Sequence, residues 1–216
     1  MSMIPPLLSP IRFLSLQDSK SQVAKLFSET GFQSLAVLEE GLFLGILSKE
    51  TIEETPFEFL SSVAYKISPD RISDQIHWLN YGIYFKRFNC TELAVVNTDQ
   101  QFLGYVTHDH FLQALTHMPM INEEGVVLEL QRASPQFSLA VLVQIFEQSN
   151  LSVFGISIEE DSEMTYVTAK LGSGAIGSCL ASLRRYEFEV VFVEGEDDYE
   201  KVLATHAAYL NTYLNI

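Results

Sequence analysis

Three glycines near the C-terminal end have the spacing of a dinucleotide-binding loop. They are Gly172, Gly174 and Gly177, and they fit the pattern Gly-x-Gly-x-x-Gly, in which backbone amides approach a pyrophosphate at the start of a helix. An apolar run precedes the glycines and a helical pattern follows them. Glu194 follows at about the separation, some twenty residues, at which an acidic side chain binds the ribose. Taken locally, the pattern indicates a nucleotide-dependent enzyme.

The position of these glycines in the chain argues against that interpretation. A dinucleotide-binding fold normally opens with this loop and builds its site from several parallel strands that follow. Here the loop lies near the end of a chain of 216 residues. We therefore interpret the glycines as the turn from a strand into a helix that Ser173 caps. An anion bound at the start of that helix remains an alternative.

Patterns typical of catalytic and metal sites are missing elsewhere in the sequence. There is no Gly-x-Ser-x-Gly turn, no His-Glu-x-x-His motif and no phosphate loop with Lys followed by Ser or Thr. His108 and His110 point to different sides of a helix, and no Cys or carboxylate completes a chelating pair with either. Cys90 and Cys179 are too few for a disulfide framework and are typical of reduced thiols. We expect no catalytic residues, no metal site and no enzymatic activity.

The charge of the chain restricts its partners. The sequence has 28 acidic and 13 basic residues, which give a net charge of −15, and such a field repels nucleic-acid phosphates and anionic lipids. No apolar run approaches the ~20 residues of a membrane-spanning helix, and the first residues lack the pattern of a secretion signal. We expect a cytoplasmic protein that binds neither nucleic acid nor membrane.

A repeat dominates the first half of the chain. Residues 35–45 read LAVLEEGLFLG and residues 93–104 read LAVVNTDQQFLG. Each copy predicts a strand, a polar turn and a second strand, which ends at Ser48 in the first copy and at Thr107 in the second. Short helical segments follow at 49–54 and 108–115.

A helix is also predicted before each hairpin. In the first copy, Ser19 and Gln22 form a capping box at the start of the helix, and Gly31 ends it. In the second copy the helical stripe consists of Ile72, Ile76 and Leu79. The order helix, strand, strand, helix therefore occurs twice.

This repeat resembles a tandem pair of CBS domains, whose last strand ends in Gly, two apolar residues, Ser or Thr, and an Asp three positions later. The resemblance implies modules at residues 1–60 and 61–118 that pack into one pseudo-symmetric unit. Clefts in such pairs often hold AMP, ADP, ATP or S-adenosylmethionine as regulatory ligands. The resemblance also implies a homodimer and a regulated protein partner of unknown identity.

Carried over by position, the ligand-binding residues are Ser48, Thr51, Thr107, Asp109 and His110. Thr51 and His110 stand where the family has Asp, and Asp109 comes one residue earlier, which turns it by about 100° around a helix. Two interpretations stay open for the hydroxyl residues: they contact a ligand, or they only cap the helices that follow.

The second half of the chain predicts another domain at 126–216, after a linker at 119–125. Apolar periodicity predicts strands at 126–130, 153–158, 166–171 and 188–193, and helices at 138–148 and 175–186. This order resembles an ACT domain, a ferredoxin-like βαββαβ fold. The family's amino-acid-binding loop lacks its glycine here, at 134–137, which favours a structural or dimerising role. A closing helix, with Tyr199, Val202, Leu203, His206, Leu210 and Tyr213 on one side, is expected to pack on the sheet.

The predicted fold class is α+β, a CBS domain pair followed by an ACT-like domain, as in acetoin-utilisation-type CBS–ACT regulators. The predicted function is that of a non-catalytic sensor without a resident cofactor, which binds an adenosine compound. The alternative is a homodimeric scaffold that binds no ligand and acts through a partner.

Overall fold

The computed structural model describes residues 12–194 of the chain. These residues form two compact units, which divide between Thr116 and His117. Within the described range, no helix combines the length and the apolar character that crossing a membrane requires. The closing helix expected near the C-terminus lies outside the described residues.

The first module of the first unit is a three-stranded sheet with two helices. In chain order its elements are β1 (Leu14–Ser15), α1 (Lys20–Thr30), β2 (Ser34–Glu39), β3 (Leu42–Ser48) and α2 (Lys49–Glu54). β1 pairs in parallel with β2, and β2 pairs antiparallel with β3. The predicted capping box at Ser19 is confirmed, as is the left-handed Gly31 that ends α1.

The second module repeats this arrangement after a 3₁₀ segment at Leu60–Lys66. Its elements are β4 (Ile72–Ser73), a 3₁₀ turn (Trp78–Asn80), α3 (Tyr81–Phe88), β5 (Glu92–Val96), β6 (Phe102–Thr107) and α4 (His108–Leu115). The sheet order β4-β5-β6 matches β1-β2-β3. The predicted helical stripe was wrong: Ile72 lies in β4 opposite Val95, Ile76 lies in a bend, and Leu79 lies in the 3₁₀ turn that precedes α3. A strand of two residues is too short to show the alternation that would identify it.

Equivalent positions of the two modules meet at a pseudo-two-fold axis. When Gly45 is aligned on Gly104, Leu42 corresponds to Gln101 and Phe43 to Phe102. Leu42 and Gln101 form an isolated β-bridge, and the rings of Phe43 and Phe102 stack with their centroids 6.1 Å apart. The repeat in the sequence is therefore a structural repeat around one axis.

Tyr105 of the second module joins the two modules through its hydroxyl. The Oη atom accepts a hydrogen bond from the Ala36 amide at 2.7 Å and donates one to the Arg12 carbonyl at 2.8 Å. The side chain is almost fully buried, and this burial raises the pKa of Tyr105. The Tyr105 hydroxyl thus supplies the hydrogen-bond partner of two backbone groups at the junction, the Ala36 amide and the Arg12 carbonyl.

We expect Tyr105→Phe to lower the free energy of unfolding by about 1–3 kcal/mol, because the buried Ala36 amide loses its acceptor. Urea unfolding measures the effect. Tyr65→Phe is the matched control, since this ring is 77% exposed, and it should change nothing. Equal effects of the two substitutions would rule out the bridging role of Tyr105.

The second unit has the predicted ferredoxin-like order. Its elements are α5 (Pro119–Asn122), β7 (Val126–Ala133), a 3₁₀ turn (Ser134–Gln136), α6 (Leu139–Gln148), β8 (Val153–Glu160), β9 (Met164–Leu171), α7 (Ile176–Arg185) and β10 (Glu189–Val193). The sheet order is β10-β7-β9-β8, with every pair antiparallel. The buried residues of α6 and α7 form one core with β7 and β9. This is the α+β fold of an ACT-like domain.

The segment predicted as a linker contains helix α5. Met120 of this helix packs on Gly155 of β8, so closely that a Cβ at Gly155 would lie 2.6 Å from the Met120 Cβ. The short helix therefore belongs to the second unit.

Gly172 and Gly174 lie in the turn between β9 and α7, as predicted, whereas Gly177 is the second residue of α7. Ala175 is the N-cap of α7, and no side chain caps the helix, so the assignment of Ser173 as a cap was wrong. A Cβ at Gly174 would lie 2.6 Å from the Leu151 side chain, whereas Gly177 faces open space. The turn leaves an antiparallel sheet, which differs from the parallel sheet of a dinucleotide-binding fold.

Candidate functional site

A cavity of about 580 Å³ opens in the first unit beside the first turn of α4. The second module supplies Thr91, Glu92 and four residues at the start of α4, which are Thr107, His108, Asp109 and His110; the first module supplies the turn of residues 30–32. Small-molecule sites typically occupy about 300–1,000 Å³. The cavity therefore has the size of a ligand site and is lined from both modules.

Thr107 and Ser48 both cap helices. Thr107 Oγ1 accepts a hydrogen bond from the His110 amide at 3.2 Å, and Ser48 Oγ accepts one from the Thr51 amide at the same distance. Ser48 Oγ also lies 2.8 Å from Thr51 Oγ1. Both hydroxyls therefore cap the helix that follows them. A hydroxyl that caps a helix still has a proton to donate, so capping and ligand contact are compatible.

The two capping residues lie on either side of the junction between the modules. Ser48 pairs with Ser34 across β3 and β2, and Thr107 pairs with Glu92 across β6 and β5. The Ser34 amide donates a hydrogen bond to Glu92 at 3.1 Å. These four residues form one row across the junction.

The structure places the predicted site residues in two groups. Thr107, Asp109 and His110 line the cavity together. Ser48 and Thr51 contact each other in the first turn of α2 and are not among the residues that line it.

Glu92 is a site residue that sequence reasoning missed. It is 6% exposed, and its carboxylate accepts hydrogen bonds from the amides of Gln33 and Ser34 and from the Thr91 hydroxyl, at 3.2, 3.1 and 2.8 Å. Burial raises the pKa of Glu92, while these hydrogen bonds and the nearby His108 act in the opposite direction. The sequence signal was an acidic residue at the head of an otherwise apolar strand.

The raised pKa of Glu92 predicts a pH-dependent stability. A carboxyl group whose pKa is higher in the folded state stabilises the fold at low pH, and this contribution is lost as the pH rises through the folded-state pKa. The glutamine side chain of the Glu92→Gln variant cannot ionise, so the variant lacks this contribution. As the pH rises above the ordinary glutamate value of 4.5, the free energy of unfolding of the native chain should therefore fall relative to that of the variant. Urea unfolding over this pH range tests the prediction, which a constant difference would refute.

Two histidines add polar groups to the cavity. The His108 ring lies edge-on to Phe85, with the centroids 4.3 Å apart. The buried Nδ1 of His110 has no hydrogen-bond partner within residues 12–194. No hydrogen bond of the described structure therefore satisfies that nitrogen of the His110 ring.

Cysteines and metal-ligating side chains form no second site in the described part of the chain. Across it, no three His, Cys, Asp or Glu residues come together as a metal site requires. Burial raises the pKa of Cys90 to about 11 and also raises the pKa of Cys179, so both remain protonated thiols at neutral pH.

At 134–137, where the ACT resemblance implies an amino-acid-binding loop, the chain forms a 3₁₀ turn over Ser134–Gln136. Ser134 Oγ lies 3.1 Å from Thr165 Oγ1, and the buried Thr165 belongs to β9. The Ser134 hydroxyl thus ties this loop to the sheet.

Comparisons with known proteins found similarity at the level of structure. No family model and no curated protein matches the sequence. A CBS domain pair/ACT domain protein from Thermotoga maritima matches 50% of this chain and 91% of its own, with 19% identity and a TM-score of 0.45. The α+β architecture described above, two repeated three-stranded modules followed by a four-stranded antiparallel sheet, rests on the elements of the chain itself.

Two further matches are CBS structures with bound ligands. The structure of CBSX2 in complex with AMP matches 50% of this chain and 90% of its own, with 14% identity and a TM-score of 0.44. A CBS domain pair in complex with 5′-methylthioadenosine and S-adenosyl-L-methionine matches 50% and 94%, with 16% identity and a TM-score of 0.44. Each of these matches describes a likeness of fold to half of this chain.

Proposed function

We propose that the chain is a regulatory protein and not an enzyme, and that the cavity beside α4 binds an adenosine compound. The observation that carries this proposal is the meeting of Thr107, Asp109 and His110 in one cavity. A hydroxyl, a carboxylate and an imidazole together offer donors and acceptors for the hydroxyl groups of a ribose. Ligand-dependent stabilisation of the junction between two modules is the simplest way for such a site to regulate a partner.

The charges around the cavity favour a particular subclass of adenosine compound. Glu92 and Asp109 bring two carboxyl groups to the cavity, and the chain as a whole carries a charge of −15. A di- or triphosphate would be repelled by this field. We therefore propose an adenosine with an uncharged or cationic substituent, such as methylthioadenosine or S-adenosylmethionine, in preference to AMP, ADP or ATP.

One observation favours the scaffold alternative. Ser48 and Thr107 both bond to backbone amides as helix caps, which accounts for these hydroxyl residues without any ligand. In that case the CBS pair is a structural platform for a protein partner.

Thermal unfolding in the presence of single compounds separates these two functions. A compound that binds the folded state at one hundred times its Kd adds about 2.7 kcal/mol to the free energy of unfolding. We expect methylthioadenosine or S-adenosylmethionine to raise the Tm more than AMP or ATP does. If no adenosine compound raises the Tm at millimolar concentration, the sensor function is wrong and the scaffold remains.

A further inference from the structure

The sheet of the second unit packs on α6 and α7 with one face, and a cavity lies on its other face. Four buried residues of β7 and β9 belong to the core with these helices, namely Leu128, Leu130, Val167 and Ala169. Because side chains alternate along a strand, the residues between them lie on the opposite face. There the strands line a cavity of about 320 Å³. We call this side of the sheet the open face.

Two rows of side chains cross the open face from strand to strand. The first row, in the strand order β10, β7, β9 and β8, consists of Glu189, Gln131, Tyr166 and Glu159. The second row, in the same order, consists of Phe192, Glu129, Thr168 and Ser157. Val191, at the register shift of β10, also lines the cavity. All four strands therefore contribute to one site that combines carboxylates, hydroxyls and apolar groups.

The open face is negatively charged. Glu129 and Glu159 line the cavity, and neither forms an ion pair within residues 12–194. The carboxylate of Glu189 accepts a hydrogen bond from the neighbouring glutamine side chain at 2.7 Å, which leaves its charge in place. The charge of Asp161 raises the pKa of Tyr166, whose hydroxyl lies 3.4 Å from it. A ligand of this face must therefore be a cation.

The spacing of the three glutamates suits an extended cation. Neighbouring strands lie about 4.8 Å apart, so the backbones of Glu189 and Glu159, on opposite edges of the sheet, are roughly 14 Å apart. Glu129 lies between them, in the second row. A metal ion needs its ligands gathered around one point, and no such group of side chains occurs in the described part of the chain. A flexible chain with several amino groups can reach all three carboxylates.

Apolar side chains on the open face suit the methylene groups of such a chain. Tyr166, Val191 and Phe192 are 42%, 55% and 47% exposed. Ammonium groups are attracted to the faces of aromatic rings, and the methylene stems of amines pack on apolar surface. An amino acid fits less well, since the glutamates would repel its carboxylate.

We propose that the open face binds a linear polyamine such as spermidine, whose amino groups pair with Glu129, Glu159 and Glu189. The chain's own C-terminal segment is the other candidate occupant. Like-charge repulsion disfavours it, because it opens with the acidic residues Glu196, Asp197, Asp198 and Glu200. The inference goes beyond the proposed function, since this site and the cavity beside α4 belong to different units.

Calorimetric titration of the full chain with spermidine at low ionic strength tests this site. We expect one bound spermidine per chain. The double variant Glu129→Gln/Glu159→Gln should bind spermidine about tenfold more weakly, because two ion pairs are lost. Butylamine, which has an apolar stem and a single amino group, should bind the native chain more weakly than spermidine does.

The matched control is Glu29→Gln/Glu53→Gln, which removes two charges from exposed positions of the first unit and should bind spermidine as the native chain does. Unchanged circular dichroism shows that each variant is folded. A native chain without saturable binding, which is also the result if the C-terminal segment occupies the open face, would overturn the proposal. Native affinity in the double variant, or equal weakening in the control, would overturn it as well. Methylthioadenosine titration of the double variant should match that of the native chain, which keeps this result separate from that of the cavity beside α4.

Discussion

Replacing Gly45 with alanine should lower the free energy of unfolding of the first unit by about 3 kcal/mol, the combined effect of overpacking and lost hydrogen bonds. A Cβ at Gly45 would lie 2.2 Å from the Ser68 carbonyl oxygen and 2.6 Å from a methyl carbon of Ile67. The Ser68 backbone cannot retreat without losing its two hydrogen bonds to Ile46, at 2.7 and 2.9 Å. The close approach therefore lets Ile67 and Ser68, directly after the 3₁₀ segment, pack against β3.

Gly177→Ala is the control for this experiment. Gly177 is exposed in α7, and nothing lies within 4 Å of a Cβ placed there. Alanine in a helix is favoured over glycine by about 0.5–1 kcal/mol, so this variant should gain stability. Urea unfolding compares the two. A Gly45→Ala variant as stable as the native chain would contradict the close packing at Ser68, and a destabilised Gly177→Ala variant would restore a special role for the glycine pattern.

Phe146→Ala should destabilise the second unit by about 3–5 kcal/mol, because it leaves a cavity where a large ring was packed. Phe146 has no exposed surface and lies in the core shared by α6, α7 and the sheet. Leu139→Ala on the same helix is the matched control, since Leu139 is 42% exposed, and its effect should be small.

The single tryptophan makes this test specific to one unit. Trp78 is 4% exposed and lies in the first unit, so its fluorescence reports the unfolding of that unit alone. The Phe146→Ala variant should lose part of its circular dichroism signal at a lower urea concentration than the native chain does. The urea midpoint of the transition reported by Trp78 fluorescence should be the same in both proteins. A Trp78 transition that moves by the same amount would show that the two units unfold together.

Local signals in the sequence were sufficient to predict most helices and strands. The capping box at Ser19, the hydroxyl caps Ser48 and Thr107 and the left-handed Gly31 each specify a helix end through neighbouring residues. The boundaries of α2 and α4 agree with the prediction for the same reason. β1 and β4 escaped prediction because each depends on a partner strand that lies distant in sequence.

The site could be predicted only in part. Thr107, Asp109 and His110 follow one another closely on a capped helix, so sequence alone brings them together. Glu92 could not be found in this way, because its hydrogen-bond donors Gln33 and Ser34 belong to the other module. The glycine pattern illustrates the opposite case: its local sequence suits a dinucleotide, whereas the order of the predicted elements and the antiparallel sheet both argue against that site.

Calorimetric titration of the chain with methylthioadenosine tests the central claim, a ligand site in the cavity beside α4, most directly. We predict one bound ligand per chain and weaker binding by about tenfold in His110→Thr, the loss of roughly 1.4 kcal/mol. Thr51→Ala, at the equivalent position of the first module, should bind as the native chain does. Absence of binding by the folded native chain, or weaker binding in Thr51→Ala alone, would contradict the account.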